Sequence, residues 1–188
     1  MENIDIFRVH KYIRDTWCSV LIEDSGTLLG MTRDGKLLEG DNDLDYLVLS
    51  ENLITLEAII SDLKRLLKIS PTKYYWKGNL VKVKFRLDFD VDINICYKYG
   101  DYFGFPVKNG FKKSWFSRYL YYHLAKVEMT KIVSGVNVHM IPEQILHEMI
   151  EGTRQGVERY LSYRYGDWHT PAPDWNYLKH DGAFNTNE

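Results

Sequence analysis

Ser25-Gly26-Thr27-Leu28-Leu29-Gly30-Met31-Thr32-Arg33-Asp34-Gly35-Lys36-Leu37-Leu38-Glu39-Gly40-Asp41-Asn42-Asp43-Leu44-Asp45 is the stretch around which the rest of this chain is organised. Its small-residue turn, Ser25-Gly26-Thr27, follows Val20-Leu21-Ile22, which reads as a buried strand delivering that turn. Leu28 to Met31 reads as the first turn of a helix, and Asp34-Gly35 as a second turn. At the other end, Asp43-Leu44-Asp45 runs into Tyr46-Leu47-Val48-Leu49. Alternate side chains of a strand share a face, so Asp43 and Asp45 project together while Leu44 enters the core. Two adjacent carboxylates repel and raise each other's pKa unless a cation lies between them. All-oxygen ligation of that kind suits Mg²⁺ or Mn²⁺, and Mg²⁺ commonly combines one or two carboxylates with substrate phosphates. The turn can offer backbone N–H groups to an anion. Arg33 can add a bidentate fork to a phosphate, or sit in solvent. The competing reading of the whole string is a polar loop leading into an ordinary strand.

Working outward, Ile6, Val9, Ile13 and Trp17 recur at helical spacing ahead of the turn. Beyond the Asp43–Leu49 strand, Ser50 reads as an N-cap for a helix whose buried face is Leu53, Leu56, Ile59, Ile60, Leu63, Leu66 and Leu67. Pro71 follows its end. Strands are then predicted from Tyr74 to Lys77 and from Leu80 to Leu87, across a Gly78-Asn79 turn. In the second, Lys82, Lys84 and Arg86 alternate with apolar residues. A basic face of this kind can meet phosphates, but a solvated sheet face is the preferred reading. Asp88-Phe89-Asp90 turns the chain into Val91-Asp92-Ile93-Asn94-Ile95-Cys96. A charged side chain on an apolar strand costs stability unless paired or metal-bound, which singles out Asp92 as a third carboxylate. Asp90 has the same strand parity, so phase alone leaves both open.

The C-terminal half reads as a turn-rich loop over Lys98 to Gly110 and an amphipathic helix from Trp115 to Val127. His123 on that helix reads as a hydrogen-bonded core or rim histidine. A short strand follows from Lys131 to Val138, and Pro142 suits the first position of a helix. Ile145, Leu146, Met149, Ile150, Val157, Tyr160 and Leu161 form that helix's buried face, with a break expected near Gly152. Gly166 suits the closing cap and Pro171 stops continuation. From His180 onward the polar tail is expected to fray.

With 188 residues, 45% of them apolar and 27% charged, the chain can bury a full core as one domain spanning 1–188, with 175–188 as a partly ordered tail. A net charge of −2 supplies no basic face for nucleic acid, and no nucleic-acid partner is expected. Cys18 and Cys96 both lie in apolar runs without a zinc or disulfide spacing, so two buried, reduced thiols are expected. The polar N-terminus does not read as a signal peptide and no apolar run reaches a membrane span, so a cytoplasmic location is expected.

A Ser-Gly turn, an Asp-x-Asp strand and a later third carboxylate resemble the nucleotidyltransferase fold. The finer spelling Gly26-Thr27-Leu28-Leu29-Gly30, with Arg33 beyond it and Asp41-Asn42-Asp43-Leu44-Asp45 after that, is similar to the LicD family of phosphocholine transferases and fukutin-related proteins. Family members more often carry Asp-Asp-Asp-Ile-Asp, so Asn42 departs from the pattern, outside the Asp43/Asp45 pair. A closing Tyr165-Gly166-Asp167-Trp168 segment followed by Pro171 also resembles the family, as does Pro173-Asp174-Trp175. The resemblance implies an α/β (α+β) domain with a mixed, mainly antiparallel sheet and packed helices. It implies Asp43, Asp45 and Asp92 as catalytic metal ligands for Mg²⁺ or Mn²⁺. It favours Asp92 over Asp90, because the family's acid directly precedes an apolar pair. Ser25, Gly26, Thr27 and Arg33 would bind donor phosphate. Tyr165, Asp167 and Trp168 are candidates for substrate binding, or for a buried aromatic lock on the last helix. The implied activity moves a phospho-alcohol, such as phosphocholine or an alditol phosphate, from a CDP-linked donor to a sugar hydroxyl of a glycan or lipid-linked acceptor, releasing CMP. The rivals are a nucleotidyltransferase that leaves NMP on its product and a catalytically silent nucleotide-binding module.

Overall fold

The computed structural model describes residues 5–76, 78–108, 130–132, 136–172 and 180–183. Helix α1 (Ile6–Trp17) starts at Asp5, whose carboxylate accepts from the Arg8 N–H at 2.8 Å. Strand β1 (Ile22–Glu23) is shorter than its apolar prelude suggests, and α2 (Ser25–Arg33) follows at once. Ser25-Gly26-Thr27 is therefore the first turn of α2 rather than a turn before it. Strand β2 (Asp43–Leu49) leads into a 3-10 turn (Ser50–Asn52) and α3 (Leu53–Leu67). Ser50 does not cap α3 as expected: the 3-10 turn intervenes, and the cap position is Asn52.

Strands β3 (Thr72–Trp76), β4 (Asn79–Arg86), β5 (Asp90–Tyr99) and β6 (Tyr102–Lys108) come next. Much of the loop expected over Lys98 to Gly110 is thus strand. Phe103 and Phe105 share a face and are buried in the second core, and Gly104 between them is covered by β8. Strand β6 forms a tight hairpin with β5 across Gly100-Asp101 and pairs on its other edge with β8, from distant sequence. Two strands, β7 (Thr130–Ile132) and β8 (Val136–Pro142), replace the single one expected. Pro142 ends β8 instead of opening a helix, and α4 (Glu143–Ile150) begins at the next residue. The predicted break falls at Gly152, whose φ is +68°, between α4 and α5 (Arg154–Tyr165). Thr153 caps α5 by accepting from the Gly156 N–H at 3.1 Å. The helix expected from Trp115 to Val127, with His123, and the Pro173-Asp174-Trp175 motif lie outside the described residues.

The described strands form one mixed sheet in the order β1-β2-β5-β4-β3-β7, with β6 pairing β5 and β8. β2 runs parallel to β5 and β3 to β7, and the other pairs are antiparallel. Leu44, Tyr46 and Val48 of β2 pack with Val91, Ile93 and Ile95 of β5 under α1 and α3. Leu47, Leu49 and Cys96 belong to a second core with Leu28 of α2, Leu146 of α4, Tyr160 and Leu161 of α5, and Trp168. Leu44 is fully buried, so truncating it would cost about 2–5 kcal/mol. A one-residue slip of β2 would exchange it with aspartates, and this locks the register. Cys96 is buried as expected, whereas Cys18, at the C-cap of α1, is exposed. No described helix is long and apolar enough to cross a membrane.

Candidate active site

The register of three strands assembles the charged groups. Parallel pairing sets Asp43 opposite Asp90 and Asp45 opposite Asp92. Antiparallel β4 then sets Lys84 opposite Asp92 and Arg86 opposite Asp90. One carboxylate oxygen from each of Asp43, Asp45 and Asp92 lies within 4.8 Å of the other two. Asp90, which strand phase leaves equivalent to Asp92, is instead taken up by Lys84 at 2.5 Å and Arg86 at 3.2 Å.

The first turn of α2 is tied to the same strand. The Asp24 N–H donates to the Asp45 carbonyl at 3.0 Å, and the Asp45 N–H donates to Thr27 Oγ1 at 2.9 Å. The main chain of Asp45 is therefore held on both sides by the turn. Thr27 is buried, and its hydroxyl oxygen serves this internal bond. Ser25 adopts φ +48°, a left-handed conformation uncommon outside glycine, and its hydroxyl donates to Asp24 at 3.1 Å. At Gly26 a Cβ would meet the Asp41 carboxylate, so a larger residue there would require that carboxylate to move aside. No side chain caps α2, because the carboxylate of its N-cap residue, Asp24, points elsewhere. The uncapped N–H groups and the helix dipole favour an anion there.

Burial raises the Asp43 carboxyl to about 7, and a hydrogen bond and charge from Asp41 push the same way against Lys84 and Lys82. Asp45 is raised well above the carboxylate range, first by burial and then by Asp43 and Asp24. Asp92 is 4% exposed, and its Oδ1 has no hydrogen-bond partner among the described residues. Three converging carboxylates that cannot all ionise comfortably, one with a buried and unpartnered oxygen, fit a hard divalent cation.

The basic strand is not the solvated face preferred from sequence. Lys82 Nζ lies 2.6 Å from Asp92 Oδ2, and Lys84 Nζ lies 3.3 Å from the same atom. These cations offset the desolvation of the acids, so β4 faces the carboxylates for a physical reason.

The other candidates separate. Arg33 sits at the C-terminal end of α2, roughly 12 Å of helix rise from Ser25, and forks onto its neighbour Asp34 at 2.9 and 3.0 Å. The structure does not bring it to the carboxylates. Tyr165 packs against the second core with the Arg164 guanidinium over its ring: burial raises its hydroxyl pKa, Arg164 opposes this, and Asp24, Asp181 and Asp45 add to it. Asp167 is exposed and accepts from Thr170 at 2.9 Å. Trp168 is buried in the second core with its ring stacked on His169.

Sequence reasoning missed the buried network behind the site. Arg164 bonds Asp181 through Nε and Nη2 and Asp24 through Nη1, at 2.6–2.9 Å, and the Tyr160 hydroxyl also donates to Asp24. The tail expected to fray from His180 instead docks through Asp181 and Ala183, whose carbonyl accepts from Met140 at 2.8 Å. Arg164 carried a readable signal, since it continues the Val157-Tyr160-Leu161 stripe onto a position that must be buried. Asp181 carried none.

A mixed sheet presenting clustered carboxylates beside a helix N-terminus is the class of architecture found in nucleotidyltransferase-like domains. The family model described as LicD/FKTN/FKRP, nucleotidyltransferase domain, matches residues 22–134, more than half of the 188 residues, and the chain belongs to that family. It is thus a member of a phosphotransferase- or nucleotidyltransferase-like family that is generally metal-dependent. No curated protein and no solved structure matches the chain.

Proposed function

We propose that this chain is a cation-dependent phosphotransferase that moves a phospho-alcohol from a CDP-activated donor to a sugar hydroxyl of a glycan or lipid-linked acceptor, with release of CMP. The observation that carries the reading is the convergence of Asp43, Asp45 and Asp92 on one sheet face, with the main chain of Asp45 bonded to the first turn of α2. In this reading Asp43, Asp45 and Asp92 would hold Mg²⁺ or Mn²⁺, which would neutralise diphosphate charge and polarise the phosphoryl oxygens. Asp43, whose carboxyl pKa is raised to about 7 chiefly by burial, would release its proton when a cation binds. The N–H groups of Ser25, Gly26 and Thr27 receive phosphate oxygens, an interaction the helix dipole strengthens. Thr27 and Asp24 act on the reaction by holding Asp45 in place. A carboxylate of the cluster, assigned to Asp92, takes the acceptor hydroxyl's proton as its oxygen attacks phosphorus. Catalysis in such a site is chiefly positioning and charge stabilisation.

The test is incubation of the purified protein with CDP-choline, CDP-ribitol or CDP-glycerol and sugar acceptors, with and without Mg²⁺, followed by mass spectrometry. The expected product carries the phospho-alcohol, with CMP released only when Mg²⁺ is present. A product retaining the nucleotide would make the protein a nucleotidyltransferase instead. If neither transfer nor Mg²⁺-dependent nucleotide binding is detected, the silent binding module takes its place.

A further inference from the structure

The two oxygens of Asp92 differ in a way that concerns β4. Oδ2 receives both Lys82, at 2.6 Å, and Lys84, at 3.3 Å. Oδ1 is buried and has no hydrogen-bond partner among the described residues. One oxygen of the residue is thus saturated by ammonium groups while the other is left open. The two lysines differ as well. Lys84 is anchored twice, at 2.5 Å to Asp90 and again to Asp92, and its side chain is 16% exposed. Lys82 has Asp92 as its one carboxylate partner among the described residues, and its side chain is 29% exposed. The residue opposite Lys82 on β5 is Asn94, which carries no charge to hold it.

Lysine is a point charge on a flexible stem, so a single contact leaves it able to change partners. A divalent cation among Asp43, Asp45 and Asp92 would share the charge of Asp92 and repel the ammonium beside it. Lys84 would still have Asp90. Lys82 would have no remaining carboxylate among the described residues, on a face where the proposed donor brings diphosphate oxygens.

We propose that Lys82 is the exchangeable counterion of this site: it neutralises Asp92 until a cation arrives, then turns its ammonium to a phosphate oxygen of a nucleoside diphosphate donor. Lys84 stays in place as the structural cation. This assignment rests on the function proposed above and adds to it a phosphate-binding residue on a strand outside the acid motif.

The exchange makes two binding constants move in opposite directions. Mn²⁺ binding alone is measured by electron paramagnetic resonance, and CDP binding to Mn²⁺-loaded protein by calorimetry. In Lys82→Gln the competitor for Asp92 is gone, so Mn²⁺ should bind about 3- to 10-fold more tightly, while CDP affinity should fall about tenfold for the lost phosphate contact. Lys82→Arg keeps the charge, so its Mn²⁺ affinity should be no higher than wild type, and it remains informative if the glutamine variant does not fold. Wild-type protein that binds Mn²⁺ and CDP while Lys82→Gln changes neither constant, or weakens both, would overturn the exchange and leave the functional reading intact. A higher Mn²⁺ affinity in Lys82→Arg would also overturn it. Wild-type protein that binds neither probe would remove both the function and this inference.

Discussion

Arg164→Lys measures how firmly the last helix fixes the site. The side chains of Arg164, Asp24 and Asp181 are 2%, 0% and 0% exposed, so their charges see almost no water. Arg164 donates five hydrogen bonds: Nε to both Asp181 oxygens, Nη2 to Asp181, and Nη1 to Asp24 and to the Tyr160 hydroxyl. A lysine has three donors and no fork, so at least two of these bonds are lost. At about 1.5–3 kcal/mol for each bond to a charged group, the variant should lose roughly 3–6 kcal/mol. Against a total stability of about 5–15 kcal/mol for an ordinary domain, that leaves a protein still foldable in the cold. Arg164→Met is less informative, because it strands two buried carboxylates without a cation and is expected not to fold. The assay is urea unfolding at low temperature, with donor turnover per folded molecule measured in parallel. Turnover should fall too, since Asp24 both anchors Arg164 and donates its N–H to Asp45. A stability loss below about 1 kcal/mol would refute the claim that this network holds the helix and tail to the site.

Four other outcomes are expected. Asp43→Asn and Asp45→Asn should each lower turnover by more than about a hundredfold, because the charge stabilisation at such a centre is worth several kcal/mol. Their melting temperatures should hold or rise, since each removes a repelling carboxylate. Without added cation, stability should fall as pH rises from about 4 to about 7, because the folded protein keeps the Asp43 proton up to about 7 while the unfolded chain releases it near 4. Millimolar Mg²⁺ should flatten that slope in thermal melts across the same range. Arg33→Lys should leave donor affinity by calorimetry unchanged, given its place at the far end of α2, and a large loss would return Arg33 to the phosphate site. Trp168→Ala should cost about 3–5 kcal/mol in denaturant melts, whereas the exposed Asp167→Asn should leave them unchanged and reveal any substrate role in turnover alone.

What the sequence disclosed was whatever obeys strand or helix periodicity over a few residues. Asp43-Leu44-Asp45 announces a strand with two acids on one face, and Leu44 is fully buried as that parity demands. The helical faces of α1, α3, α4 and α5 were legible in the same way, and so was the break at Gly152, but Ile150, expected on the buried face, is exposed at the end of α4. Pairing across distant strands was not legible. Strand β6 looked like loop because Gly104 and Pro106 interrupt its apolar run and its second partner, β8, lies far along the chain, and Lys82 and Lys84 looked solvated because their carboxylate partners come from β5. Family likeness chose Asp92 over Asp90, where strand phase could not, and the structure brings Asp92 rather than Asp90 to Asp43 and Asp45. Asp90 is instead held by its register partner on β4, Arg86, and diagonally by Lys84.

The placement of the acids follows from how one sheet face changes character along two strands. Residues 43, 45, 47 and 49 of β2 share a face and read Asp, Asp, Leu, Leu, while 90, 92, 94 and 96 of β5 read Asp, Asp, Asn, Cys. The apolar ends of both series are buried under α2, α4 and α5, and the acidic ends project beyond that core. The opposite face is apolar along the whole of both strands. Such a sheet cannot slide to relieve repulsion among its carboxylates, because any shift in register would expose Leu47 or bury Asp45 against α1 and α3. The repulsion is therefore held in place by packing, while the raised Asp43 and Asp45 pKa values come first from burial, with Asp41 adding at Asp43, and Asp43 and Asp24 at Asp45. Proton binding relieves it at low pH and a divalent cation would relieve it at neutral pH. Competition between the two gives the site its expected sensitivity to both.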